Sequence, residues 1–203
     1  MVEKDFKRKL TAILSADVVG YSRLMDDNVE ATVRTLNIYR DSMKALIHHH
    51  RGRVVDTTGD NLLAEFTSVV DALNCSVVVQ QELADRNADL SSERRMEFRI
   101  GVNVGDVVEE EDRIYGDGVN IAARVEGLAK ACGICISGRV YDHVENKLDF
   151  NYEFLGEQKV KNIRRPVRVY RVLSFPGAAA GVFDLSQLEQ NYRERLKACL
   201  LYT

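Results

Sequence analysis

The chain has 203 residues, 45% hydrophobic and 29% charged, with a formal net charge of −3. That length suits one domain with appendages, the balance is enough to build a core, and the charge gives no basic footprint for nucleic acid. No apolar run approaches the ~20 residues of a membrane span, and the opening MVEKDFKRKL lacks the apolar stretch of a signal peptide, so the expectation is a cytoplasmic protein with no membrane or nucleic-acid partner within this chain.

Residues 1–8 are charged and read as a flexible N-terminus. Leu10–Val19, LTAILSADVV, is apolar or small apart from Asp17, the pattern of a strand buried on both faces. An unpaired carboxylate inside such a strand would be costly, so Asp17 should lie at its end and have a partner. Gly20, Tyr21 and Ser22 then turn the chain. Asn28–His50 reads as a long helix, with Val29, Val33, Leu36, Met43, Leu46 and Ile47 at three- and four-residue steps and Gly52 as its stop. The adjacent His48, His49 and His50 point in different directions on a helix and cannot converge on one ion.

Val54–Phe66, VVDTTGDNLLAEF, holds two short apolar runs around a Gly-containing turn, a β-hairpin whose tip carries Asp60. Val69–Leu83 reads as a helix and Ala84–Arg95 as a polar loop. Met96, Phe98, Ile100, Val102 and Val104 alternate with polar residues or glycine, which predicts a strand with one buried face. Val107–Ile114 contains Glu109, Glu110, Glu111 and Asp112 and reads as a solvated acidic turn. Gly116–Lys130 is a third helix, on which Asn120 and Arg124, four apart, share a face. Ile134–Ser137, Phe150–Leu155 and Val167–Val172 are short strands. Gly177–Gly181 reads as a linker and Asp184–Leu200 as a terminal amphipathic helix. The cysteines are Cys75, Cys132, Cys135 and Cys199; one CxxC without a second pair points to reduced thiols rather than zinc.

This order gives an α+β sandwich with an antiparallel or mixed sheet and helices largely on one face. The strand ending at Asp17 and the hairpin tip at Asp60 can lie side by side. Two aspartates so placed suit a hard divalent cation, since Mg²⁺ takes one or two carboxylates and completes its shell with phosphate oxygens and water. Such a site supports two-metal phosphoryl chemistry, with ions roughly 3.5–4 Å apart.

Several motifs, in order along about Lys9–Leu173, resemble the catalytic domain of class III adenylate and guanylate cyclases. They are SADVVGYS with Asp17, TTGDNLLAEF with Asp60, RIGVNVGDV, YGDGVNIAAR with Asn120 and Arg124, and VKNIRRPVRVYRV with Lys161. The resemblance implies a ferredoxin-like or palm-like sandwich with a mostly antiparallel sheet over 9–173, leaving 174–203 as linker and C-terminal helix. It implies that Asp17 and Asp60 hold two Mg²⁺ or Mn²⁺ ions, and that Gly20, Tyr21, Ser22 and Lys161 face the triphosphate. Asn120 would position the ribose and Arg124 would stabilise charge on the α-phosphate while the ribose 3′-hydroxyl displaces pyrophosphate. It also implies a homodimer, each site taking its aspartates from one subunit and its Asn/Arg pair from the other.

The sequence departs from the family pattern where the base is read. Adenylate cyclases carry a lysine at the position of Asp56, and usually Asp, Thr or Ser at that of Arg113. Asp56 can accept from guanine N1–H and N2–H₂, and Arg113 can donate to guanine O6 or N7, so GTP joins ATP, the commoner family substrate, as a candidate. Opposite charges across a narrow pocket also predict a direct Asp56–Arg113 ion pair in the free protein. Two alternatives stay open: a degenerate cyclase-like module that binds nucleotide or dimerises for regulation, and another metal-dependent phosphotransferase or hydrolase on the same scaffold.

Overall fold

The computed structural model describes residues 6–160, 163 and 165–174. Lys161, residues 1–5, the linker at 177–181 and the helix expected over 184–200 lie outside them. In chain order the elements are β1 (Lys7–Val18), α1 (Tyr21–Asp27), α2 (Val29–His49), β2 (Gly52–Asp56), β3 (Leu62–Phe66), α3 (Val69–Ala88) and β4 (Phe98–Glu110). They continue with β5 (Arg113–Tyr115), α4 (Asp117–Glu126), β6 (Ile134–Ser137), α5 (Gly138–Val144), β7 (Asn151–Gln158) and β8 (Val167–Ser174).

One sheet runs β2-β3-β1-β4-β6-β8-β7, with β5 paired to the far end of β4. The β4–β6 pairing is parallel, and the other pairings among the described residues are antiparallel. β1 lies near the centre, in register with β4 from Lys7↔Glu109 to Val18↔Phe98. Thr11–Ala16 is buried on both faces, as the unbroken apolar run predicts.

The two faces of β1 feed separate cores. Ala12, Leu14 and Ala16 join Met43 and Ile47 of α2, Leu73 and Val77 of α3, Val140 and Val144 of α5, and Phe66 and Phe98. Ile13 points the other way, into a smaller cluster with Leu63, Val107, Ile114 and Ala122 of α4. The helices therefore gather on one face except α4, which packs alone on the other. Leu14, Phe98 and Ile100 are fully buried, each side chain contributing about 1.5–3 kcal/mol. Among the described residues no helix is long and apolar enough to cross a membrane.

Several local expectations are corrected. Lys7 and Arg8 belong to β1 rather than to a loose terminus. The turn at Tyr21 is a short helix, with Gly20 entering it at φ 69°. α3 runs past Leu83 to Ala88 because Asn87, 6% exposed, is fully used: its amide bonds both the N–H and the carbonyl of Met96 and accepts from the Tyr39 hydroxyl. β4 is buried on both faces over Ile100–Gly105. Asn103 can lie inside because it donates to the Gly118 carbonyl at 2.9 Å, and α4 covers Gly101.

The acidic stretch is a hairpin rather than a solvated turn. Glu109 extends β4 because Lys9 and Arg53 neutralise it, at 2.9 and 2.6 Å. The same two cations hold Glu65 of β3, and Arg53 reaches Asp112 beyond β4. This ion network crosses four neighbouring strands.

Candidate active site

Asp17 is the last polar residue of β1 and Asp60 sits in the turn between β2 and β3. Gly59 takes φ 63°, a left-handed conformation that glycine adopts without steric cost, and the Asn61 amide returns to the Thr58 carbonyl at 3.1 Å. Arg40 of α2 donates to the carbonyls of Gly59 and Asn61 and so pins the tip to the helical layer. Because β1 and β3 are paired, the tip arrives beside the end of β1. The two carboxylates meet there: burial, and then the charge of Asp17, raise the Asp60 carboxyl above its ordinary value. Like charges held together are what a divalent cation relieves. Among the described residues no group of three or more His, Cys, Asp or Glu converges; the two carboxylates could hold Mg²⁺ or Mn²⁺ with the shell completed by phosphate and water.

The partner that Asp17 requires is Arg99, its register neighbour on β4, whose Nη2 donates to Oδ2 at 2.8 Å. On its other side Arg99 forms an ion pair from Nε to Glu126 Oε1 at 2.6 Å. Glu126, at the end of α4, is 4% exposed and accepts from the Ser15 hydroxyl at 3.3 Å. Ser15 in turn accepts from the Asn61 side chain at 3.2 Å. Burial, against the pull of Arg99, pushes the Glu126 carboxyl up to about 7. Sequence reasoning missed Ser15, Arg40, Arg99 and Glu126. Arg99 stands out in the sequence only as a cation between apolar Phe98 and Ile100, with nothing local to tie it to Asp17.

Asn120 and Arg124 stand exposed on α4, while Ala122, Val125 and Glu126 of the same helix are buried against the sheet. The structure thus groups Asp17 with Asp60 and sets the Asn/Arg pair on an outward face. Gly20, Tyr21 and Ser22 open α1 just beyond Asp17.

The predicted Asp56–Arg113 pair does not form. Asp56 Oδ1 accepts from its own turn, from the Thr57 amide and the Thr58 hydroxyl, both at 2.8 Å. Arg113, on β5, is exposed and has no ion pair among the described residues. The neighbouring acid, Asp112, is engaged by Arg53.

Residues 5–174 match the model of the adenylate and guanylate cyclase catalytic domain. A curated relative, "Putative adenylate cyclase 3" of Rhizobium meliloti (strain 1021), is 41% identical over 84% of this chain and 29% of its own length. The crystal structure of an adenylate/guanylate cyclase/hydrolase from Silicibacter pomeroyi superposes with a TM-score of 0.78 at 40% identity, covering 83% of this chain and 98% of that one. That of the guanylyl cyclase Cya2 gives 0.73 at 25% identity, over 87% and 98%. The chain belongs to the adenylate and guanylate cyclase catalytic-domain family. It spans between 20% and 37% of the length of the curated relatives it matches.

Proposed function

We propose that the chain converts a purine nucleoside triphosphate to its 3′,5′-cyclic monophosphate and pyrophosphate, at sites shared between two copies. The observation that carries this reading is the division of the site residues: two facing carboxylates at the end of β1 and the β2–β3 tip, and an exposed Asn/Arg pair on α4. A single copy leaves the side chains of Asn120 and Arg124 with no hydrogen-bond or ion-pair partner among the described residues, and a second copy would supply the facing half.

Asp17 and Asp60 would hold one or two Mg²⁺ or Mn²⁺ ions. Such ions supply activation of the ribose 3′-hydroxyl and neutralisation of the triphosphate. Asn120 orients the ribose for in-line attack on the α-phosphorus, and Arg124 stabilises the charge that builds on the α-phosphate oxygens. The backbone of Gly20, Tyr21 and Ser22 would bind the phosphates, and the family resemblance assigns the same role to Lys161, which lies outside the described residues.

Both ATP and GTP remain substrates of this reading. Asp56 spends one oxygen on its turn and retains acceptor capacity, while Arg113 is exposed and unpaired among the described residues, so both are available to guanine. The same departure from the adenine-reading pattern favours the second reading, a regulatory nucleotide-binding module with little turnover. One experiment separates them. The purified chain is incubated with ATP or GTP and Mn²⁺ or Mg²⁺, first alone and then as Asp60→Asn mixed with Arg124→Ala. Each variant is expected to be inactive by itself and the mixture to recover part of the wild-type rate, because one of the two heterodimer sites is intact. Recovery failing despite proven subunit exchange refutes shared sites; a wild type that binds nucleotide without forming product supports the regulatory module.

A further inference from the structure

Glu126 is buried at the point where α4 meets the sheet, and its two carboxylate oxygens lead to the two candidate metal aspartates by separate routes. One route is Oε1 to Arg99 Nε at 2.6 Å, then Arg99 Nη2 to Asp17 Oδ2 at 2.8 Å. The other is Ser15 Oγ to Oε2 at 3.3 Å, then Asn61 Nδ2 to Ser15 Oγ at 3.2 Å, and Asn61 follows Asp60 in the chain. A β4 backbone without a side chain makes this possible. At Gly101, directly opposite Ser15, an added Cβ would lie 2.5 Å from the Ala122 carbonyl and 2.6 Å from the Glu126 Cα. The end of α4 therefore rests on the sheet itself, and Glu126 reaches the face that carries Asp17.

We infer that Glu126 is a positioning residue for the metal half-site of its own subunit, holding Arg99 against Asp17 and, through Ser15, the hairpin tip that carries Asp60. The inference rests on the cyclase reading above. Glu126 touches neither substrate nor ion; it fixes the orientation of groups that do. Partners of this outer kind typically change metal affinity or activity about 10- to 100-fold when removed. The competing role is helical. Glu126 is two residues from Arg124, so its loss could act by disturbing α4 and the Arg124 it presents.

Mixed dimers distinguish the two. If Glu126 serves the metal half, Glu126→Gln has lost the same half-site as Asp60→Asn. Glu126→Gln mixed with Arg124→Ala then recovers activity, and Glu126→Gln mixed with Asp60→Asn does not. If Glu126 serves Arg124, the pattern reverses and the inference is overturned. The mixture of Asp60→Asn with Arg124→Ala is the control: its failure strikes at shared sites and leaves the metal assignment to direct binding.

That measurement is Mn²⁺ titration followed by electron paramagnetic resonance, with a 3′-deoxynucleoside triphosphate present so that no product forms. Glu126→Gln is expected to bind Mn²⁺ about 10- to 100-fold more weakly than wild type. Ser15→Ala, which cuts only the second route, should weaken binding in the same direction and serves if Glu126→Gln does not fold. Wild-type Mn²⁺ affinity in folded Glu126→Gln, or in Ser15→Ala where it stands in, overturns the inference.

Discussion

Replacing Gly101 by alanine tests whether the contact between α4 and the sheet sets the geometry of the site. The new Cβ would stand closest to the Glu126 amide nitrogen, then 2.5 Å from the Ala122 carbonyl oxygen and 2.6 Å from the Glu126 Cα. Ordinary contact begins at 3.4 Å, so the helix must withdraw by about 1 Å. None of the atoms in the way is the end of a flexible side chain; all belong to helix backbone. Overpacking of this kind costs about 1–3 kcal/mol, or a fall in Tm of roughly 2–12 °C for a domain of this size. The same withdrawal carries Asn120 and Arg124 outward and pulls Glu126 from Arg99 and Ser15. A misplacement of about 1 Å can cost about 100-fold in rate. The assay is a thermal melt beside steady-state cyclic nucleotide formation with Mn²⁺. A variant that melts within 1 °C of wild type and turns over within about twofold of it would refute the claim that close approach at Gly101 places α4.

Asp56→Lys combined with Arg113→Thr should move the ratio of kcat/KM for ATP over GTP upward by about 10- to 100-fold, the worth of one or two hydrogen bonds to charged groups; an unchanged ratio means these residues do not read the base. The thiols of Cys75, Cys132 and Cys135 should be inert. Burial pushes Cys75 up to about 12 and Cys132 and Cys135 up to about 11, leaving roughly one part in a thousand or less as thiolate at pH 8. Native protein should therefore resist iodoacetamide at these three positions while urea-unfolded protein labels fully, with reactivity rising as pH climbs toward 11; rapid native labelling, located by peptide mass, contradicts the burial.

What sequence conveyed best were features whose cause is local. The run of apolar and small residues around Asp17 marked a strand buried on both faces, and the demand that its carboxylate find a partner was correct. The Thr-Thr-Gly-Asp-Asn turn marked the hairpin tip. Arg99 as that partner was out of reach, because it depends on the register of strands 82 residues apart and no local pattern encodes register. Polar stretches misled in the same direction twice. Asn87 and Glu109 look solvated, yet Asn87 is buried by bonds to Met96 and Tyr39, and Glu109 is held half-buried by Lys9 and Arg53. The Asp56–Arg113 pairing failed for the opposite reason. A donor one or two residues away costs less entropy to capture than one on another strand, so Thr57 and Thr58 claim the carboxylate first. Within the candidate site, the residues proposed to have direct roles were picked out by motif, whereas Ser15, Arg40 and Glu126 were not, since their placement is a product of the assembled fold.

The position of β1 bears on how the domain is made. The strand is synthesised before β3 and β4, and it can be completed only by pairing with residues 62–66 on one side and 98–109 on the other. Closing such long loops costs entropy before any contact repays it, and domains rich in non-local pairings fold slowly. The two candidate metal aspartates meet through the β1–β3 pairing, whereas Arg99, which orients Asp17, arrives only with the longer-range β1–β4 pairing. Full cation affinity during refolding should therefore appear with the slowest phase rather than with early helix formation. A chain interrupted before β4 would carry both aspartates and still lack the Arg99 that orients one of them.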